Sequence, residues 1–188
     1  MNGMKKFFFD MDGVLAEYKR GCDENDLSKK GYFRNLLPEE NMIKALQMLL
    51  ENSEALGLRL CVLTKVYPSR FPYSLREKEE WRQAFLPDLY DSEFIMVNGE
   101  ECEKSEAITA LLGAGLNQDY FLIDDYNPNL AEWAAAGGTP VKYVNAINDT
   151  HRSFVGNRLS YQMTPQEIYD AILTMAGILT PAPAGAAA

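Results

Sequence analysis

The chain has 188 residues, 47% of them hydrophobic, which is enough for one well-buried core and short for two. A formal net charge of −9 and a pI near 4.7 exclude a nucleic-acid-backbone binder, which needs a basic face to displace counterions. A small phosphorylated ligand needs only a local cation or a metal, and that remains open. The cysteines Cys22, Cys61 and Cys102 are widely spaced and form no C-x-x-C pair. With no signal-peptide run and no apolar stretch of spanning length, the expectation is a reduced, cytoplasmic protein with no membrane segment.

Phe7, Phe8 and Phe9 read as the end of a buried strand that carries Asp10 and Asp12 to its carboxyl edge. Alternation along the strand lets the two carboxylates face one side, and Gly13 lets the backbone turn sharply beside them. Residues 14–38 are polar and irregular, the pattern of a small cap or flap insert. Residues 39–56 carry Met42, Ile43, Leu46, Leu49 and Leu50 in a helical stripe, with Gly57 as its stop. Residues 58–63 form a second strand that ends in Thr64 and Lys65.

After a loop bounded by Pro68 and Pro72, Ser74 and Glu77 fit a capping box opening a helix with Trp81 and Phe85 on one face. Residues 94–97 are a third strand, followed by the turn-prone Asn98-Gly99. Residues 104–112 are a helix with Ile108, Leu111 and Leu112 on one side. A fourth strand over 120–123 delivers Asp124 and Asp125, and Asn127-Pro128 gives the N-cap and first position of the next helix. Residues 141–144 are a fifth strand, whereas 145–162 show no clear periodicity and contain the single histidine, His151, next to Arg152. Thr164 and Glu167 fit a second capping box ahead of a last helix carrying Ile168, Ile172, Leu173 and Ala176.

Strands alternating with helices predict an α/β fold, a Rossmann-like three-layer α/β/α sandwich around a central parallel sheet. One catalytic domain is expected over residues 1–180, with a minimal cap at about 14–38 and a flexible tail over 181–188. Ligands in such sheets bind at the carboxyl ends of the strands, where Asp10, Asp12, Thr64, Asp124 and Asp125 all fall. Two carboxylate pairs with no histidine or thiolate near them in sequence are a hard-oxygen set suited to Mg2+, and Mg2+ bridges readily to phosphate.

Asp10-Met11-Asp12-Gly13-Val14-Leu15, Thr64 after an apolar strand, a lysine at a helix start, and Leu122-Ile123-Asp124-Asp125 resemble the four motifs of the haloacid dehalogenase-like superfamily of phosphatases, in that family's order. Within it, the opening motif through Ala16 and the segment Glu77-Lys78-Glu79-Glu80-Trp81, with Phe85 and Pro87, are similar to the 5'(3')-deoxyribonucleotidase and 5'-nucleotidase group. The resemblance implies a phosphomonoester hydrolase in which Asp10 attacks phosphorus to form an aspartyl-phosphate. Asp12 is implied as general acid and then base, with its backbone carbonyl a metal ligand. Thr64 is implied as a hydrogen-bond partner of the phosphoryl group, and Lys104 as the cation that offsets its charge, with Lys65 as the competitor. Asp125 and Asp124 are implied to hold Mg2+ together with Asp10, while Asn127 and Asn129 orient ligands behind them or cap a helix.

The insert spans only 25 residues, from Val14 to Pro38, shorter than a helical nucleotidase cap. Tyr18, Tyr32, Phe33 and Arg34 are its candidates for stacking on a base and gripping a sugar or phosphate, with anchoring of the flap the equal alternative for Tyr32 and Phe33. The implied substrate is a small phosphorylated molecule, a nucleoside monophosphate first, with a sugar phosphate or phosphoprotein as the alternative. A phosphate-and-metal pocket without turnover is the reading from another class.

Overall fold

The computed structural model describes residues 4–18, 21–148 and 154–180. Among them lie six strands: β1 (Lys5–Phe9), β2 (Leu58–Val66), β3 (Phe94–Asn98), β4 (Tyr120–Asp124), β5 (Thr139–Val144) and β6 (Asn157–Ser160). They form one sheet in the order β3-β2-β1-β4-β5-β6, and every pairing is parallel. β1 lies at the centre, with Phe8 level with Cys61 of β2 and with Leu122 of β4. Strand order reverses there, so the carboxyl end of β1 opens into the crevice where parallel sheets bind ligands.

The three phenylalanines of β1 show why the sheet has two covered faces. Phe7 and Phe9 point into one core, with Leu46, Leu60, Trp81 and Ile172, whereas Phe8 points into the other, with Leu63, Ile108, Leu130 and Trp133. Burial of each ring contributes about 1.5–3 kcal/mol. Helices α2 (Glu40–Leu56), α3 (Ser74–Phe85) and α6 (Pro165–Met175) supply the first layer, and α4 (Lys104–Leu112) and α5 (Asn127–Ala135) the second. This is the expected three-layer α/β/α sandwich. Among the described residues no helix is long and apolar enough to cross a membrane.

The insert after β1 carries one helical turn, α1 (Glu24–Leu27), and a 3-10 turn over Phe33–Asn35. It leaves and rejoins the fold through a short crossing of backbones: Glu17 donates its N–H to the Leu37 carbonyl at 2.8 Å, and Glu39 donates to the Leu15 carbonyl at 2.8 Å.

Several boundaries differ from the sequence expectation, each for a local reason. β2 runs on to Val66, so Thr64 lies inside the strand rather than beyond it. The aperiodic stretch 145–162 contains β6, which is only four residues long and half exposed, too short to show a period. Helix α5 begins at Asn127 with Tyr126 in the capping position, so Asn127 is not its N-cap. Leu111 is exposed rather than packed with Ile108. The capping box at Thr164 and Glu167 is present as expected. His151, Arg152 and the tail 181–188 lie outside the described residues.

Candidate active site

Asp10 follows β1 directly, and its amide N–H donates to the Ile123 carbonyl at 2.9 Å, which keeps the chain in register with β4 to the last residue. Asp124 ends β4, and Asp125 follows it. The sheet therefore places three carboxylates side by side: Asp10, Asp124 and Asp125 each offer an oxygen within 4.8 Å of the others. Hard carboxylate oxygens in this arrangement could hold a Mg2+ ion.

Lys104, the first residue of α4 and fully buried, reaches between two of them. Its Nζ lies 2.8 Å from Asp10 Oδ1 and 2.7 Å from Asp124 Oδ2. Burial opposes its charge, but Asp10 and Asp124 outweigh burial and push the ammonium up, so it stays cationic. Asp124 is held further by Asn129 Nδ2 at 2.9 Å and by the Tyr126 amide at 2.8 Å. Burial first, then Asp124 and Asp12, push Asp10 up to about 6 against the pull of Lys104 and Lys78. Burial, Asp124 and Asp10 push Asp125 up to about 7. In both acids burial and the neighbouring carboxylates outweigh the lysines and asparagine that favour the charged form.

Asp12 faces the other way. Its Oδ2 accepts from Lys78 Nζ at 2.5 Å, and Lys78 also donates to Thr64 Oγ1 at 2.7 Å and to the Lys65 carbonyl at 2.8 Å. Asp12 Oδ1 is buried and has no hydrogen-bond partner among the described residues. The two acids are thereby sorted: Asp10 belongs to the carboxylate cluster, and the side chain of Asp12 to a lysine on α3.

Gly13 makes this sorting possible. It turns with φ +82, and a Cβ there would stand 2.5 Å from Asp125 Oδ2. Asn145, just past β5, closes the far side: its Nδ2 donates to the Gly13 carbonyl and to Asp125 Oδ2, both at 2.9 Å. Asn148 holds the same turn from below, donating to the Asp125 carbonyl at 3.1 Å and accepting the Asn145 amide at 3.0 Å. Lys142 also donates to the Asp125 carbonyl.

These groups floor a cavity of about 400 Å³ lined by Asp10, Asp12, Lys78, Lys104 and Asp125 at its base and by Tyr18, Phe33, Tyr67, Phe71 and Tyr126 above. Of the residues expected from sequence, Asp10, Asp12, Lys104 and Asp125 meet there, Asp124 stands directly behind Lys104, and Tyr18, Phe33 and Lys65 line the walls. Lys65 is occupied by Glu103 at 2.5 Å and by Asn129 Oδ1 at 3.2 Å, so Lys104 is the cation on the carboxylates. Thr64 is wholly buried beneath Lys78. Arg34 is not brought to the cavity: in its 3-10 turn Phe33 points inward and Arg34 outward, 3.6 Å from Glu80. Asn127 makes no part of the wall, whereas Asn129 does.

Sequence reading missed Lys78, Asn145 and Asn148 as site residues. Lys78 stood inside a run of charges that reads as a solvated helix face, yet it is 1% exposed. The asparagines stood in the aperiodic stretch, where the only signal was their position just past a strand end.

An all-parallel sandwich with acids at the ends of two adjacent central strands and a buried lysine between them defines the class, a Rossmann-like α/β fold with an acidic site at the switch point. Its fold matches that of haloacid dehalogenase-superfamily hydrolases of known structure. D,D-heptose 1,7-bisphosphate phosphatase from B. bronchiseptica, solved with magnesium and phosphate, superposes with a TM-score of 0.63 at 12% identity, covering 91% of this chain and 99% of that one. A superfamily hydrolase from Ehrlichia chaffeensis gives 0.58 at 15% identity over 93% and 99%. A hydrolase of the same family from Deinococcus radiodurans, with bound phosphate and sodium, gives 0.57 at 16% over 95% and 99%. No protein-family model and no curated protein sequence matches the chain.

Proposed function

We propose that this protein is a Mg2+-dependent phosphomonoester hydrolase that works through an aspartyl-phosphate on Asp10. The observation that carries the reading is the division of the two acids after β1, with Asp10 beside Lys104 and the carboxylate cluster and Asp12 turned to Lys78.

In the proposed reaction an oxygen of Asp10 attacks phosphorus, and the bond from phosphorus to the leaving oxygen breaks. Asp12, acting as general acid, gives a proton to the departing alkoxide. The resulting Asp12 carboxylate then takes a proton from water as the water attacks the aspartyl-phosphate, which releases phosphate and returns Asp10. Lys78 fixes the Asp12 carboxyl through Oδ2 and leaves Oδ1 without a partner among the described residues. Lys104 holds Asp10 for in-line attack, and Thr64 works from behind the cavity wall, its hydroxyl oxygen accepting from Lys78 and holding that lysine toward Asp12. Mg2+ on Asp10, Asp125 and Asp124 would supply the positive charge that offsets the phosphoryl oxygens.

The leading substrate class is a nucleoside monophosphate, supported by the aromatic walls Tyr18, Phe33, Phe71 and Tyr126, which suit a planar leaving group. A sugar phosphate is the second reading, favoured by the fold shared with the heptose bisphosphate phosphatase. The decisive test is Asp10→Asn, assayed by phosphate release from both ester classes in Mg2+. The expected loss is at least about a thousandfold, the scale of removing a covalent nucleophile. A folded variant hydrolysing at the wild-type rate would sink the mechanism.

A further inference from the structure

We propose that Glu77 is a positioning residue that fixes Phe33 as the wall against which the leaving group is selected, an inference that rests on the phosphomonoesterase reading above. Glu77 sits in the first turn of α3 and is 2% exposed. Its carboxylate does not cap its own helix. It accepts the N–H of Gly31 and, at 3.1 Å, the N–H of Phe33, both 44 or more residues earlier in the chain. Among the described residues it forms no ion pair, so the two amides of the insert are its compensation for leaving water. Gly31 turns with φ +91, which aims the two amides at one carboxylate.

The residue so held is the one that matters to the cavity. The Phe33 ring is 4% exposed, lies 5.0 Å from the Tyr32 ring and 6.5 Å from the Phe71 ring, and carries the Lys78 ammonium 5.3 Å from its centre. Lys78 is the next residue on α3 and bonds Asp12. Adjacent residues of one helix therefore set the two ends of the reaction: Lys78 orients the proton donor, and Glu77 sets the face that the departing group must fit. Trp81 reinforces the join by donating Nε1–H to the Leu36 carbonyl at 2.9 Å. The chemistry selected is a flat, apolar leaving group that fits against Phe33 where it lines the cavity, as a nucleobase does, rather than a short polyol.

The experiment compares deoxyadenosine monophosphate with glycerol 3-phosphate as substrates for wild type, Glu77→Gln and Phe33→Ala. Glu77→Gln keeps the size and one acceptor, so it should fold. The expected result is a rise of about tenfold in KM for the nucleotide, the size of one charge-assisted hydrogen bond lost, with kcat held. KM for the glycerol ester should move less than twofold. Phe33→Ala should give the same selective rise in nucleotide KM, and the double variant no further rise. Equal shifts on both esters, or none, overturn the proposal. Amide exchange at Gly31 and Phe33 reads the latch without turnover: faster exchange in Glu77→Gln supports it, and unchanged exchange overturns it. If the wild type hydrolyses neither ester, the phosphomonoesterase reading falls and the selective role falls with it, while the exchange result still tells whether the latch exists.

Discussion

The amide group of Asn145 ties two separate strand ends together, the Gly13 carbonyl after β1 and the Asp125 carboxylate after β4. Groups that hold a metal-binding carboxylate in place typically change metal affinity 10- to 100-fold when removed. Asn145→Ala is therefore expected to raise the Mg2+ concentration needed for half of the thermal stabilisation by at least about tenfold. Melting curves across a Mg2+ titration measure this directly. A lower melting temperature with the same Mg2+ midpoint would assign Asn145 to packing alone. Asn145 was not legible in the sequence because its bonds go to residues 132 and 20 positions away, and no local pattern marks an asparagine that works at that range.

At the scale of elements, the strands of the inner sheet were the most readable part. Phe7 to Phe9, residues 58–63 and 120–123 are short apolar runs that end in polar groups, and burial on both faces demands that pattern. The acids at their ends followed with them. Helix α3 was only half readable: its apolar face gave Trp81 and Phe85, whose rings lie 5.0 Å apart, but its opening turn misled. Ser74 and Glu77 have capping-box spacing, yet Tyr73 is the N-cap, the Ser74 hydroxyl donates to the Phe71 carbonyl, and Glu77 turns to the insert. A tertiary partner outbid the local one, which spacing alone does not reveal. The turn after β1 carries its own prediction. Gly13→Ala must adopt φ +82 and crowd Asp125, so it should cost about 1–3 kcal/mol of stability and weaken Mg2+ binding together. Urea unfolding with and without Mg2+ checks this, and an unchanged midpoint in both conditions would count against the close packing of that turn.

For the whole molecule, the electrostatic balance links stability to pH. Asp10 and Asp125 are pushed from an ordinary 3.8 to about 6 and about 7, by burial first. Their folded forms bind protons more tightly than the unfolded chain does, so the stability they contribute is present below about pH 4 and is lost as pH rises through 6 and 7. Glu79, Glu80 and Glu167 are lowered by Arg82, Arg76 and the Thr164 backbone respectively, so they are already ionised in that window and do not mask the trend. Metal-free protein should therefore melt at a lower temperature at pH 8 than at pH 5, and the gain from Mg2+ should grow across the same interval. A metal-free melting temperature that climbs steadily from pH 5 to 8 would contradict this balance.

The crossing at the root of the insert, where Leu15 to Glu17 run beside Leu37 to Glu39, gives the molecule a property of its own. The two ends of the loop are already clamped to each other by the main body, so its length is decoupled from the sheet. Closing a loop twice as long adds only about 0.6 kcal/mol. The outer part of the stretch, residues 21–30, is thus a cassette: lengthened, shortened or exchanged, it would leave Asp10, Lys104 and Asp124 where they stand, while Tyr32, Phe33 and Leu36 stay in the core and Gly31 and Phe33 keep their amides on Glu77.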